Sequence, residues 1–463
     1  MPSALGSRLA LTWAAVRDSL WFVPSVSAVA GLVLAILVVR IPTPAAEGLF
    51  ADARLFGGGA EGARGMLSAI ASGLITTTGV VFSITIVAIQ QASSQFTPRV
   101  LGSFMADRVN QAVLGVFIGT FTYTLLVLRT IRSPTGDREQ FVPHVAVALA
   151  LLLLLASIAA LIVFIDHAAR TLQVSVILHR ETERTLHRID ELFPESAGDP
   201  VEEDTVVTRE PAGPPVVIAA RKAGYLETLS TEQLWSAAGD RRLTIRMEIH
   251  VGAFVFPGKA LASVWPATLV DERVADGVRE AFVLGPERTM EQDVGFGIVV
   301  ISDIAVRALS PGINDPTTAS HCVDRLTELL AALCRRRRPR FVRAGPEGAA
   351  TLVTRTTTLE RALGLAFDRI RHYGASDPSI SKKLLEALMD LATVCPRHDR
   401  RAIVAQVDAV ARAAQRGVPD AMELAEVERL AAEARAAAMN EGPPDPRPTS
   451  VAGEEARPEG TAG

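Results

Sequence analysis

Charge is scarce in this chain: 21% of its 463 residues are Asp, Glu, Lys or Arg, while 49% are apolar. With a mean hydropathy of +0.26, that balance suits membrane spans joined to a large soluble part. The charges nearly cancel, at a formal net of −4, so the basic footprint of a nucleic-acid-binding protein is missing. Cysteine is scarce too. Cys322, Cys334 and Cys395 have no metal-ligand spacing, which excludes a zinc-type site. An odd count without a pattern suits a reducing compartment and favours a cytoplasmic C-terminal region. No nucleophile elbow, phosphate loop, HExxH or pair of catalytic carboxylates occurs, and the histidines are scattered. The chain is therefore expected not to be an enzyme, and neither a metal nor a cofactor is expected.

What the chain has in quantity is long apolar runs. Four lie before residue 167, at about 21–41, 66–89, 109–128 and 141–165, and none of comparable length follows. Crossing the hydrocarbon core takes ~20 predominantly apolar residues. Four soluble core helices of this kind in succession would be unusual, so the runs read as transmembrane helices. The first exceeds the apolar region of a cleaved signal peptide, despite a cleavage-like context at Pro44-Ala45-Ala46. No acidic or basic residue interrupts the interior of a span, which argues against a pump or a proton-coupled transporter.

The short loops do not orient the spans. Arg8, Arg17, Arg99 and Arg108 on one side are matched by Arg40, Arg54, Arg64, Arg129, Arg132 and Arg138 on the other. After the fourth run come His167, Arg170, His179, Arg180, Arg184 and Arg188, and this basic stretch places both termini in the cytoplasm.

Residues 1–170 thus read as a transmembrane domain. Leu172, Val176 and Ile177 keep helical spacing, and no Gly or Pro intervenes before Pro194. The fourth span is therefore expected to run on unbroken as a helical extension over 171–194. A linker rich in Pro, Gly and acids fills 195–215. A small β-rich module is expected over 216–270. It has a hairpin in "PVVIAARKAGYLETLS" turning near Lys222–Gly224, a short helix in "TEQLWSAAGD" closed by Gly239, and period-2 alternation of Leu243, Ile245, Met247 and Ile249. The "GAFVFPGKAL" turn loosely resembles that of biotinyl-type barrels, but Lys259 lacks their modification context. Residues 271–438 read as mainly helical, with a hairpin in "FVRAGPEGAATLVTR", and 439–463 as a disordered tail. The fold class is an α-helical membrane protein: a four-helix transmembrane domain with a C-terminal mixed α/β soluble region.

The second run raises the question of function. Thr76, Ser83, Gln90 and Thr97 recur every seven residues, Gly79 and Ser94 fall on the same side, and Gln91 and Gln95 lie beside its end. Lipid cannot satisfy such groups, so the stripe must meet other helices or water. As glue between helices, each hydrogen bond contributes only about 0.6–2 kcal/mol. As the wall of a passage, the same uncharged donors and acceptors replace the hydration water of a solute. Thr76, Ser83, Gln90, Ser94 and Thr97 are the candidate pore-lining residues. In the third run, Gly115 and Gly119 share a face with Gln111 and Thr122, and the glycine spacing reads as ordinary packing within one subunit.

In the soluble region, "SDIAVRALSPGINDPTTA" stands out. Asp303 and Arg307 are placed to pair at i,i+4, and Asp315-Pro316 is an N-cap followed by proline at the first helical position. The functional alternative gathers Glu291, Asp293, Asp303, Asn314 and Asp315 around an ion or polar ligand. "RRRRPR", from Arg335, suits a helix C-terminus or anionic headgroups.

The stretches "VFSITIVAIQQASSQFTPRVLGSFMADRVNQAVLGVFIGTFTYTLLVLR" and "EQDVGFGIVVISDIAVRALSPGINDPTTA", with the "GY…FVFPGKAL" pair, resemble a bacterial family of predicted integral membrane proteins of unknown function (domain of unknown function 2254). The resemblance runs from the first span to about Leu430. It implies a four-span membrane protein with a C-terminal soluble region, and it implies no activity. The residues themselves point to a channel-like, homo-oligomeric permeation protein lined by the second span and regulated by the soluble region. The alternative is a non-conducting sensor or scaffold that binds a partner through that region. The expected partners are the lipid bilayer, further copies of the chain and a small ion or solute, with no nucleic acid.

Overall fold

The computed structural model describes residues 19, 21–40, 59–95, 107–133, 141–171, 173–193, 213–336, 342–344, 350–354 and 357–439. They fall into two compact units, Met1–Ile177 and Leu178–Gly463.

In the first unit, α1 (Phe22–Val39), α2 (Gly59–Gln95), α3 (Arg108–Thr130) and α4 (His144–Thr171) are long and apolar enough to cross a membrane. α2 starts ahead of its apolar run because Ala60 and Ala63 extend the buried row of Leu67, Ile70 and Leu74. Small residues set the closest helix approach. A Cβ on Gly119 would stand 3.0 Å from the Ser27 carbonyl oxygen, and one on Gly115 2.7 Å from Ser27 Oγ. One on Gly31 would collide with the backbone of Gly119. The glycine pair of α3 therefore packs on α1 of the same chain, as its spacing suggested. Tyr123, fully buried, donates from its hydroxyl to the Ala146 carbonyl at 2.8 Å, so the phenol has a partner within an apolar core. A cleft of about 350 Å³, lined by Ile70, Gly73, Thr77, Phe117, Ser157 and Leu161, opens between α2, α3 and α4.

The fourth span does not continue unbroken. α4 ends at Thr171, and α5 (Val174–Leu192) starts after Gln173, whose carbonyl accepts from the Val176 and Ile177 amides. No Gly or Pro marks the break. It falls where the demand on the helix changes: α4 is apolar on all sides along its span. α5 instead buries Leu178, Thr182, Thr185 and Ile189 on one side and exposes Glu183, Arg184, His187 and Asp190 on the other, with Glu181 buried beside Arg180 and Arg184.

The second unit begins with two sheets. They are built from β1 (Val216–Ala219), β2 (Gly224–Leu229), β3 (Leu243–Met247), β4 (Phe254–Val255), β5 (Ala260–Trp265), β6 (Phe282–Gly285), β7 (Val342–Ala344) and β8 (Ala350–Val353). The five-stranded sheet has the order β1-β5-β3-β8-β7 and the three-stranded sheet β4-β2-β6. β1 and β2 do not form the expected hairpin: β1 pairs with β5, whereas β2 pairs with β4 and β6. The turn at 221–223 moves the chain from one sheet to the other, which local alternation cannot signal. The β-rich module also does not end at 270, since β6, β7 and β8 join its sheets, β8 running parallel to β3. Ile218, Leu226, Leu243, Ile245, Val255 and Leu352 meet in one core.

The helices of this unit are α6 (Thr231–Ala238), α7 (Glu272–Ala281), α8 (Val294–Ala308), α9 (Pro316–Arg335), α10 (Leu359–Leu363), α11 (Arg369–Tyr373), α12 (Pro378–Val394), α13 (Arg400–Gly417) and α14 (Ala421–Met439). A π-helical turn, Gly364–Asp368, joins α10 to α11. α8 is the central element: Ile298, Ile301 and Ile304 are buried, and Gly297 makes room for Thr185 of α5. Cys334 at the end of α9 and Cys395 just past α12 form a disulfide, while Cys322 is a buried thiol. This corrects the expectation of unpaired cysteines. Sequence spacing could not reveal it, because 61 positions separate two helix ends that the fold sets side by side. The expected tail from 440 onward, and the expected linker through 212, lie outside the described residues.

Candidate functional site

α2 buries Ala60, Ala63, Leu67, Ile70, Leu74, Val81 and Thr85 along one side. Thr76, Ser83 and Gln90 stand on the other side, uncovered by the rest of the chain, in line with Gly65, Ser72 and Gly79 and interleaved with Val80 and Val87. A Cβ added to Gly65 or Gly79 would meet nothing within 4 Å. The uncovered faces of the neighbouring spans are different: Val29, Val33 and Leu37 on α1, and Leu152, Leu155 and Ile162 on α4, are large and apolar. Thr76 Oγ1 donates to the Ser72 carbonyl at 2.9 Å, so its hydroxyl is satisfied by its own helix. Gln90 has no such partner among the described residues. The Ser94 side chain and all of Thr97 lie outside the described residues, although α2 itself runs through Ser94.

One polar pair in this unit escaped the sequence reading. Asp107 caps α3, accepting from the Val109 amide at 2.9 Å and the Asn110 amide at 3.3 Å, and its second oxygen lies 2.7 Å from His167 Nε2. An Asp just ahead of an apolar helix is a readable cap signal. Nothing local links it to a histidine 60 positions away.

In the soluble unit, Asp315 is the N-cap of α9. It accepts from the Thr318 amide at 3.0 Å and from Thr318 Oγ1 at 2.6 Å, with Pro316 in the first turn. The Thr318 hydrogen bonds hold its carboxyl below the ordinary aspartate range. Asn314 sits in the left-handed region at φ 48° in an exposed turn, a conformation that Asn tolerates. Asp303 is buried and takes Arg369 of α11 as an ion-pair partner; Arg307, although exposed, is engaged as well. The i,i+4 spacing did not reveal that partner, which arrives from 66 positions downstream. The acidic residues do not gather: Asp293 pairs with Arg288 at 2.6 Å, Asp303 with Arg369, and Asp315 caps a helix. Among the described residues no set of three His, Cys, Asp or Glu side chains converges as metal ligands would.

A further charged hub forms from distant segments. The buried Asp293 carboxylate and the Arg288 guanidinium fit against Gly252, whose φ of +82° and missing side chain leave the space they occupy. His250 contacts Arg361 of α10, and burial, then the Arg361 charge, hold the imidazole below its usual range. On β2, burial and then the nearby Glu291 raise the Glu227 carboxyl.

Residues 17–390 match the family model described as "Predicted membrane protein (DUF2254)". Two mycobacterial relatives, "Uncharacterized protein Mb1321c" of Mycobacterium bovis and "Uncharacterized protein Rv1290c" of Mycobacterium tuberculosis, are each 34% identical over 437 residues. Each alignment covers 92% of this chain and 82% of the relative. No solved structure matches. With four membrane-length apolar helices in the matched region, the chain belongs to the DUF2254 family of predicted membrane proteins.

Proposed function

We propose that the chain is a channel-like, homo-oligomeric protein of the bacterial inner membrane that passes a small ion or solute. The uncovered stripe of α2 from several copies faces the passage, and the soluble unit regulates it. One observation carries this reading: Gln90 is exposed, with no partner among the described residues, at the end of a stripe of small and polar residues interleaved with Val80 and Val87, whereas α1 and α4 expose large apolar side chains. An amide facing hydrocarbon costs several kcal/mol, and contact with water or another copy removes that cost. The stripe carries no charge, which suits dehydration by neutral dipoles.

The second reading is a non-conducting assembly, a sensor or scaffold, in which the stripe forms a dry seam. The intrahelical hydrogen bond of Thr76 favours it, as do Gly65 and Gly79, which permit close helix approach. Cysteines introduced at Thr76, Ser83 and Gln90 separate the two. Under the passage reading they react with water-soluble thiol reagents, a cysteine at the buried Val81 does not, and Gln90→Leu alters flux in reconstituted vesicles. Uniform protection along the stripe, with no wild-type flux under voltage or tension, would sink the passage and leave the seam.

The basic residues Arg170, Arg180, Arg184 and Arg188 support a cytoplasmic location for both termini. The Cys334–Cys395 bond pulls the other way, because disulfides persist in oxidising compartments. A reporter fused after Arg170 should be active on the cytoplasmic side; periplasmic activity overturns the orientation.

A further inference from the structure

The turn from β4 to β5 carries aromatic rings that the packing of its own unit leaves unused. Phe254 and Phe256 are 50% and 54% exposed on either side of the fully buried Val255. The two-residue period of the strand thus turns both rings outward. Tyr225 of β2, paired with Phe254 across the strands, meets its ring edge-on at 5.1 Å. The tip is tightly built: Pro257 is followed by Gly258 at φ +93°, and Lys259 Nζ donates to the Phe254 carbonyl at 2.7 Å while lying 5.8 Å from the Phe256 ring centre. The Ala220 amide donates to the Lys259 carbonyl, and the Gly258 amide to the Ala220 carbonyl, each at 2.9 Å. These bonds bring the 221–223 turn to the same end. Arg221 there is engaged by Asp276 at 3.0 Å, whereas Lys222 is exposed with no partner among the described residues.

We propose that this tip docks on an anionic lipid surface, with Phe254 and Phe256 entering the headgroup boundary and Lys222 and Lys259 meeting the phosphates. Rings with an apolar body, beside lysines whose stems are apolar and whose heads are charged, are the side chains that an interface favours over either bulk phase. The tip offers positive charge where an anionic headgroup offers negative. The site lies in a chain of a family of predicted membrane proteins, so a lipid surface is a partner within its reach. A peptide strand added to β4 fits less well. β4 has two residues, and Pro257, which lacks an amide hydrogen, comes two positions after its end. The inference stands independently of whether α2 lines a passage.

The test uses the full chain in nanodiscs of phosphatidylcholine alone, or of phosphatidylcholine mixed equally with phosphatidylglycerol. Cys322 is buried and Cys334 is bonded to Cys395, so Phe254→Cys and Phe256→Cys offer single accessible thiols for an environment-sensitive dye, each leaving the other ring in place. Met422→Cys, at an 81% exposed position, is the control. In the mixed discs, nitroxide-headgroup lipids should quench the dye at 254 and 256 and leave 422 bright. Lys222→Glu should lower the docked-to-free ratio about fivefold or more, and salt should lower it further. Unchanged melting temperatures confirm that the variants fold. Absence of quenching at both positions overturns the proposal, including the case of a blue shift without quenching, which would mark a protein partner instead. Quenching indifferent to Lys222→Glu and to salt overturns the recognition of anionic headgroups.

Discussion

In the first unit, threonine hydroxyls are satisfied close to home. Thr76, Thr78, Thr85, Thr122 and Thr124 each donate to the carbonyl four residues back, at 2.7–2.9 Å. In the second unit, charges reach across the fold: Arg336 pairs with Asp190, and Arg369 with Asp303. The difference follows from the surroundings. Apolar side chains offer an unpaired group nothing, so a hydroxyl that can fold back on its own helix does so. Water tolerates a charged side chain while the chain collapses and lets it find a distant partner. Gln90 stands out against the first pattern, because its exposed amide has no such bond among the described residues.

Three substitutions probe this contrast. The largest effect is expected at Asp293, whose side chain is 6% exposed: Asp293→Ala leaves Arg288 without its carboxylate and should cost about 3–5 kcal/mol by denaturant unfolding. A loss below 1 kcal/mol would mean that the hub does not hold the segments together. Asp315→Ala should cost less, about 0.5–2 kcal/mol, as a lost cap does. It also carries a pH signature. Because the folded carboxyl titrates lower than the unfolded one, its stabilisation is present at neutral pH and disappears as pH falls through the acid range. The alanine variant should lack that part of the acid decline; an unaltered pH profile contradicts the capping role. The smallest effect is expected in the membrane unit. Thr76→Val removes a hydroxyl that only its own helix uses, so subunit stability in detergent should stay within about 0.5 kcal/mol. A larger loss would show that Thr76 bonds to something beyond its helix.

The features legible in the sequence were the local ones. The spans follow from unbroken apolar length, the uncovered stripe of α2 from a seven-residue recurrence, the α3 glycine packing from four-residue spacing, and the α9 cap from Asp315-Pro316. What was missed depended on segments far apart in the chain. Nothing near Ala220 says that β1 and β2 part into different sheets, and no spacing joins Cys334 to Cys395 or Asp303 to Arg369. The α4–α5 break is local yet unmarked, because a change of surroundings rather than a Gly or Pro sets it.

The glycine contacts between α1 and α3 carry a mechanical consequence. Gly31 and Gly119 bring two backbones together with no side chain between them, and Ser27 seats against Gly115 and Gly119. A slide by one residue along either axis would drive a larger side chain into the opposite backbone, so these two helices can shift only as a single rigid body. α2 is held differently: side chains grip it on one face, and the apolar cleft beside α4 leaves volume into which it can lean. A rearrangement of the bundle that keeps this pair intact would fall on α2 and α4, and α2 is the helix that carries Thr76, Ser83 and Gln90.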